Sequence, residues 1–315
     1  MKYPHEKRVI ILLGPTAVGK TGASILLAKA LGTEIISADS MQIYRHMDIG
    51  TAKPSQYQLH EVKHHLMNVL SPHESFSAGL FQKEAAKIIN DLHGRGKIPL
   101  VVGGTGLYIK SLTGGLFNGP SADRLLREKL KHEEERKGKG YLHKYLTEVD
   151  PGAAIKIEPN DLRRTVRALE VLIIEEKTIS DFQHSSTETL PYNFIKIGLI
   201  RERKELYELI EKRVDRMIVE GLLSETEKLM EMKPDRTPLQ ALGYKEMKRY
   251  LDGEITIDEA VNLLKKRTRN YAKRQLTWFR KEPGLNWVDV TGITDAEMIY
   301  KRIANSIDVL PKNHD

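Results

Sequence analysis

Cysteine is absent from all 315 residues. That excludes a disulfide scaffold, a Cys-ligated zinc site and a Cys nucleophile together, and it fits a reducing cytosol. Long apolar runs are missing as well. The stretch Val9-Ile10-Ile11-Leu12-Leu13 is too short for a signal-peptide core. Nothing elsewhere approaches the ~20 residues of a membrane span, so a cytoplasmic protein with no membrane partner is expected. Acidic residues are missing from one segment in particular. Lys265, Lys266, Arg267, Arg269, Lys273, Arg274, Arg280 and Lys281 follow one another with no acidic residue between them. The formal net charge is +7, so the rest of the chain sums to −1. The positive charge is therefore local, which points to a polyanion bound at one place. With no acidic partner inside the segment, a salt-bridged solvent face is the weaker reading of it. What remains is ordinary: 40% hydrophobic and 30% charged residues, in a chain long enough for a large core plus a second module.

The first hundred residues alternate between strands and helices. Val9–Leu13 reads as a strand stopped by Gly14, and residues 20–31 carry apolar positions at helical spacing up to Gly32. Glu34–Ala38 is a second strand, residues 78–92 a helix, and Ile98–Val102 a third strand entering Gly103-Gly104. Continuous apolar strands separated by helices predict a parallel sheet with helices on both faces. The pattern then changes. Charged helices are expected over 121–137 and 141–149, and a helix capped by Asn160 or Asp161 runs to Glu176. No strand-like run occurs from 118 to 190, so an all-helical insertion is expected there. The core would comprise 1–117 and 191–315, with Ser185–Thr189 as a linker ended by Pro191. Phe194–Ile200 supplies a further strand, and helices follow over 203–220, 222–231, 243–251 and 258–280. In the last of these, Val261, Leu264, Thr268, Ala272, Gln275 and Phe279 form one stripe, with the basic residues mainly elsewhere.

The strongest motif is Gly14-Pro15-Thr16-Ala17-Val18-Gly19-Lys20-Thr21, which fits G-x-x-x-x-G-K-[ST] between a strand and a helix. Its glycines permit close backbone approach, and the loop N–H groups and helix N-terminus converge on one anionic site. Lys20 adds a positive charge, and the Thr21 hydroxyl can join the shell of Mg²⁺. Such a loop is a nucleotide-binding feature, usually for ATP, but any pyrophosphate group satisfies the same geometry. Ligands of open parallel sheets sit beyond the carboxyl ends of the strands. Two other strand ends, Ala38-Asp39-Ser40 and Gly103-Gly104-Thr105-Gly106, should therefore face the cradle. Asp39 is the leading catalytic carboxylate, against the alternative of a turn cap. The third strand lacks a terminal acidic residue, which weighs against plain ATP hydrolysis. His60, His64 and His65 lack a third metal ligand at useful spacing, and His132 and His143 read as solvated. Three readings stay open on these residues: group transfer to RNA, a small-molecule kinase using ATP, and an RNA-binding module with a vestigial nucleotide site.

Eight segments in fixed order resemble the tRNA dimethylallyltransferases, also called tRNA isopentenyltransferases. They are GPTAVGKT at 14–21, ISADSMQIYRHMDIGTAKP at 36–54, HESFSAGLF at 73–81 and PLVVGGTGLYIKSL at 99–112. They continue with PNDLRRTVRALEV at 159–171, RVDRMIVEGLLSE at 213–225, QALGYKEM at 240–247 and YAKRQLTWFR at 271–280. The resemblance implies transfer of a dimethylallyl group from dimethylallyl diphosphate to N6 of the adenine directly 3′ of the anticodon. The tRNAs concerned would read codons beginning with U. It implies that the helical insertion grips the anticodon stem-loop, that Mg²⁺ is the cofactor, and that Asp39, Thr105 and Arg213 are catalytic. The tRNA contacts it implies are Asp39, Ser40, Met41, Gln42 and Thr105, with Arg127, Arg163, Arg164, Thr165, Val166 and Arg167 in the insertion. Lys265, Lys266, Arg269 and Lys273 are expected to reach the RNA backbone, and the enzyme is expected to act as a monomer. Asn68 stands where some family members have an aspartate, so no acid–base role is assigned to it.

The residue types suit this chemistry. An adenine amino group is a poor nucleophile that gains positive charge as the C–N bond forms, so a carboxylate that accepts its proton helps. Diphosphate leaves with negative charge, which Lys20, Arg213, Thr21 with Mg²⁺ and the loop N–H groups would stabilise. The adenine must also leave its stack to reach a pocket.

Overall fold

A computed structural model describes residues 7–117, 119–185 and 189–307. The expected linker, Ser185–Thr189, falls largely on residues 186–188, outside the described residues. The chain divides into two compact units, one of Met1–Leu112 with Pro191–Asp315 and the other of Thr113–Leu190.

The larger unit opens with β1 (Arg8–Leu13), α1 (Lys20–Ala30), β2 (Ile35–Ala38) and α2 (Gln56–Glu61). It continues with β3 (His64–His65), α3 (Ala78–Gly94), β4 (Leu100–Gly103) and α4 (Gly106–Gly114). The smaller unit holds α5 (Arg124–Lys137), α6 (Tyr141–Val149), α7 (Pro151–Ala154), α8 (Leu162–Glu175) and α9 (Ile179–Ser185), with no strand among its described residues. The larger unit resumes with β5 (Asn193–Ile200), α10 (Arg203–Val219), α11 (Leu222–Glu231), α12 (Arg236–Leu239) and α13 (Tyr244–Leu251). It ends with α14 (Ile257–Phe279), β6 (Leu285–Asp289) and α15 (Ala296–Ala304).

The six strands form one parallel sheet in the order β3-β2-β4-β1-β5-β6. Val9 through Leu13 are fully buried because β1 lies between β4 and β5, with neighbours on both edges and helices on both faces. Register then decides the site. Leu13 stands opposite Gly103, and Ala38 stands opposite the same glycine. The chain leaves β1, β2 and β4 at one level, so Gly14, Asp39 and Gly104 emerge side by side. Gly103 permits this packing, since a Cβ there would lie 2.2 Å from the Ala38 carbonyl oxygen.

Two strands and several helices escape the sequence pattern. β3 is two residues long, and β6 is an edge strand with mixed burial, so neither shows a continuous apolar run. α15 packs on α1 from the far end of the chain. In the stripe along α14, Leu264, Thr268, Ala272, Gln275 and Phe279 are buried as expected.

Candidate active site

The loop after β1, the turn after β2 and the turn after β4 line one cleft of about 290 Å³, with α10, α14 and α15 completing its wall. The phosphate loop reaches it through Gly19, whose φ of 109° caps α1 in the left-handed region. A Cβ at Gly19 would meet Ile299 Cδ1 at 2.7 Å. Lys20 is folded back over the loop, donating to the carbonyls of Gly14 and Pro15 at 2.9 and 2.8 Å. Burial pulls its pKa down to about 7, Arg213 adds to the effect by like-charge repulsion, and Asp39 opposes it. Thr21 lines the same cleft, and its hydroxyl has no partner among the described residues.

Asp39 caps a turn and also faces the cleft. Its Oδ1 accepts from the Met41 N–H at 2.8 Å and the Gln42 N–H at 3.3 Å, a turn cap, while the side chain lines the cleft. Thr105 is joined to the same turn: its hydroxyl accepts from the Ser40 N–H at 3.0 Å. Its own N–H donates to the Ala38 carbonyl at 3.2 Å. Gln42 is less free than expected of an RNA contact. Its amide donates to the carbonyls of Thr51 and Ala52, and its oxygen lies 3.3 Å from the Ser37 hydroxyl. Arg213 reaches the cleft from α10, held by a hydrogen bond from Nη1 to Thr16 Oγ1.

Gln275 is a site residue that the apolar stripe of α14 concealed. Its oxygen accepts from the Thr16 N–H at 2.9 Å and its amide donates to the Gly104 carbonyl at 2.8 Å. One side chain thus ties the phosphate loop to the turn after β4. The signal was present: a glutamine inside an otherwise apolar stripe must be satisfied by something. Tyr271, one turn earlier on α14, also lines the cleft, and burial pushes its phenol pKa up.

The expected RNA contacts divide sharply. In the smaller unit, Arg127 and Arg167 both bind the fully buried Glu170, at 2.7 Å from Arg127 Nη2 and 2.5 Å from Arg167 Nη1. The Asp123 N–H adds a further bond to the same carboxylate. Burial pushes the Glu170 pKa up, but these donors outweigh it and the net shift is downward. Arg127 therefore ties α5 to α8, while Arg167 pairs along α8 itself and donates to the Pro120 carbonyl, so both guanidinium groups already have partners. Thr165 and Val166 are buried in the core of this unit, and the Thr165 hydroxyl is spent on the Asp161 carbonyl, so neither presents a side chain outward. Arg163 and Arg164 are exposed on α8, Arg164 with its Nε 3.3 Å from Asp161 Oδ2.

In the basic segment of α14, three of the cations are ion-paired. Lys265 pairs with Asp215 and Arg269 with Glu211, both on α10, and Arg267 pairs with the buried Glu246 of α13. Acidic partners absent from the segment are supplied by neighbouring helices. Lys266 and Lys273 are exposed and make no ion pair among the described residues. His143 is half-buried rather than solvated, with Nε2 2.8 Å from the Ile157 carbonyl. His65 pairs with Glu34, and no group of three metal-binding side chains occurs among the described residues. No described helix is long and apolar enough to cross a membrane.

Comparison with known proteins places this geometry in context. The family model for IPP transferase matches residues 42–282. The chain is 50% identical over 309 residues to the tRNA dimethylallyltransferase of Thermodesulfovibrio yellowstonii, covering 96% of this chain and 98% of that protein. It is 46% identical to the Bacillus subtilis tRNA dimethylallyltransferase, over 96% and 97% of the two chains. Among solved structures, the full-length tRNA isopentenylpyrophosphate transferase of Bacillus halodurans aligns with a TM-score of 0.70 at 43% identity, covering 96% of each chain. A eukaryotic dimethylallyltransferase acting on tRNA aligns at 0.80 with 31% identity, over 95% of this chain and 77% of that one.

Proposed function

The chain belongs to the IPP transferase family, and we propose that it transfers the dimethylallyl group of dimethylallyl diphosphate to a tRNA adenine. The acceptor is the exocyclic N6 of the adenine 3′-adjacent to the anticodon, in tRNAs reading codons that begin with U. One observation carries this reading: a phosphate-binding loop and a single carboxylate, Asp39, open on the same small cleft. A diphosphate held by the loop brings its allylic carbon toward a base that can receive a proton, which is the arrangement N-alkylation requires.

In the reaction the adenine nitrogen attacks the allylic carbon as the carbon–oxygen bond to diphosphate breaks. Asp39 accepts the proton released from the amino group. Arg213 and Lys20 take up the negative charge left on diphosphate, with Lys20 exchanging the Gly14 and Pro15 carbonyls for phosphate oxygens. Thr105 keeps the Asp39–Ser40 turn in place through the Ser40 N–H. The donor set fits Mg²⁺, since the Thr21 hydroxyl has no partner among the described residues and this ion is usually held by few protein ligands together with substrate phosphates. When bound, Mg²⁺ supplies further charge stabilisation to the leaving diphosphate.

The anticodon stem-loop is the proposed RNA partner. Arg163 and Arg164 on the smaller unit, and Lys266 and Lys273 on α14, are the exposed cations proposed to meet its phosphates. The test is incubation with tRNA, Mg²⁺ and labelled dimethylallyl diphosphate in the absence of ATP. Label in the tRNA is the expected result. No label in tRNA from a competent source, with ATP-dependent phosphorylation of a small molecule instead, would replace this reading with a kinase.

A further inference from the structure

Glu225 lies on α11, outside the cleft, yet its carboxylate gathers an unusual set of donors. The N–H groups of three successive residues converge on it: Asp48 at 2.8 Å, Ile49 at 2.9 Å and Gly50 at 3.0 Å. The Tyr244 hydroxyl donates to the same carboxylate at 2.6 Å. Tyr244 is fully buried, and Gly50 lies so close to its ring that a Cβ would meet it at 2.5 Å. Three consecutive N–H groups pointing one way form an anion-binding concavity, and here the anion is a side chain of the same protein. From the other side, Lys53 donates to the Tyr44 carbonyl at 2.6 Å and Asp48 Oδ1 at 2.7 Å. The segment is pinned by opposite charges at its two ends.

What the segment holds is the catalytic turn. The carbonyls of Thr51 and Ala52 receive the Gln42 amide at 3.1 and 3.3 Å, and the Gln42 N–H reaches Asp39 Oδ1. Thr51 and Ala52 also form part of the cleft wall. A run of hydrogen bonds, linked by the backbone of residues 48–52 and by Gln42 itself, therefore leads from Glu225 to Asp39. We propose that Glu225, with Tyr244 behind it, is a positioning residue that sets the Asp39 carboxylate for attack through this run. The role rests on the transfer reaction proposed above. It acts on the geometry of the proton acceptor and leaves the phosphate cradle, which belongs to another loop, untouched. A carboxylate is required because it offers enough lone pairs for four donors, where an amide oxygen does not.

The experiment compares Glu225→Gln and Tyr244→Phe with the full-length wild type. For Glu225→Gln, kcat should fall about tenfold to a hundredfold, the scale of a misplaced catalytic group, with KM for dimethylallyl diphosphate changed less than about twofold. Tyr244→Phe removes one donor and keeps three, so its effect on kcat should be the smaller. A variant with lowered thermal stability and unchanged kcat would reduce Glu225 to a structural contact and overturn the proposal. Amide hydrogen exchange supplies a readout that needs no activity. In Glu225→Gln, faster exchange should appear at Asp48–Gly50 and extend to Met41 and Gln42. Acceleration confined to Asp48–Gly50 would show that the run does not transmit, and would overturn it too. Wild-type transfer in the same assay carries the functional reading, so a silent wild type counts against that reading while exchange still decides this one.

Discussion

Arg213 Nη1 donates to Thr16 Oγ1 across 3.1 Å, joining α10 to the phosphate loop over 197 positions of sequence. The guanidinium is fixed at the cleft by a neutral hydroxyl, so its charge is left for an anion. Arg213→Gln should therefore lower kcat by about 10², the scale of one lost donor to developing negative charge. Steady-state kinetics with saturating tRNA would measure it. A loss confined to KM for tRNA would move Arg213 out of the diphosphate site.

Asp39 caps a turn and faces the cleft at once, and the two roles separate by substitution. Asp39→Asn keeps an oxygen for the Met41 and Gln42 N–H groups but removes the proton acceptor. Transfer should fall by at least ~10², with tRNA binding and thermal stability close to wild type. Near-normal turnover in this variant would leave Asp39 with the cap alone.

Lys20 titrates near neutrality in the free protein, because burial and Arg213 lower its pKa to about 7. A bound diphosphate favours the protonated amine, so binding must take up a proton wherever free Lys20 is neutral. Uptake should be about half a proton at pH 7, approach one at pH 8 and vanish well below pH 6. Calorimetry of dimethylallyl diphosphate binding in buffers of different ionisation enthalpy reads this directly. Lys20→Arg should abolish the pH-dependent part, and an equal uptake in that variant would assign the proton to another group.

On α14 the ion-paired and free cations should behave differently toward RNA. Lys266→Gln with Lys273→Gln should weaken tRNA binding and reduce the slope of log K against log salt, by up to about 0.9 per lost phosphate contact. Lys265→Gln should change that slope less, because its charge is already met by Asp215. Filter binding over a salt series would rank them. Equal slopes for all three variants would remove the helix from the RNA interface.

Glu170 joins α5 to α8 as the buried partner of Arg127 and Arg167. Glu170→Ala should destabilise the smaller unit by about 2 kcal/mol, since the Asp123 N–H and two part-exposed arginines lose a charged acceptor. Hydrogen exchange at α5 and α8 localises the effect, which a global melting curve of a two-unit protein would blur. Protection unchanged in both helices would argue that the arginines find other partners at little cost.

The residues of the phosphate loop and of the turns after β2 and β4 were legible because their signals are local. A glycine pattern between a strand and a helix, and strand ends on a parallel sheet, state their own positions. The expected RNA contacts were legible only as charges. Arg127, Arg167, Lys265 and Arg269 are cations in the sequence and ion-pair partners in the fold, since their carboxylates come from elsewhere on the same helix or from other helices. Gln275 was legible only as a polar residue in an apolar stripe that needs a partner, and the contacts of Glu225 were not legible, because the backbone groups they meet lie more than 170 positions away.

Sequence alone determined that +7 is a local charge, that a G-x-x-x-x-G-K-T pattern stands at 14–21, and that Asp39 follows a strand. Each is a matter of residue type and short-range spacing, which no packing can alter. Tertiary structure decided which of those charges remain free. A buried carboxylate such as Glu170 draws cations out of solvent, and α10 does the same to α14 with Asp215 and Glu211. The basic segment thus keeps Lys266, Lys273, Arg274, Arg280 and Lys281 as exposed cations without an ion pair among the described residues, and the cleft keeps Arg213 and Lys20. Net charge counts every ionised side chain, whereas a polyanion meets only those the fold has not already neutralised.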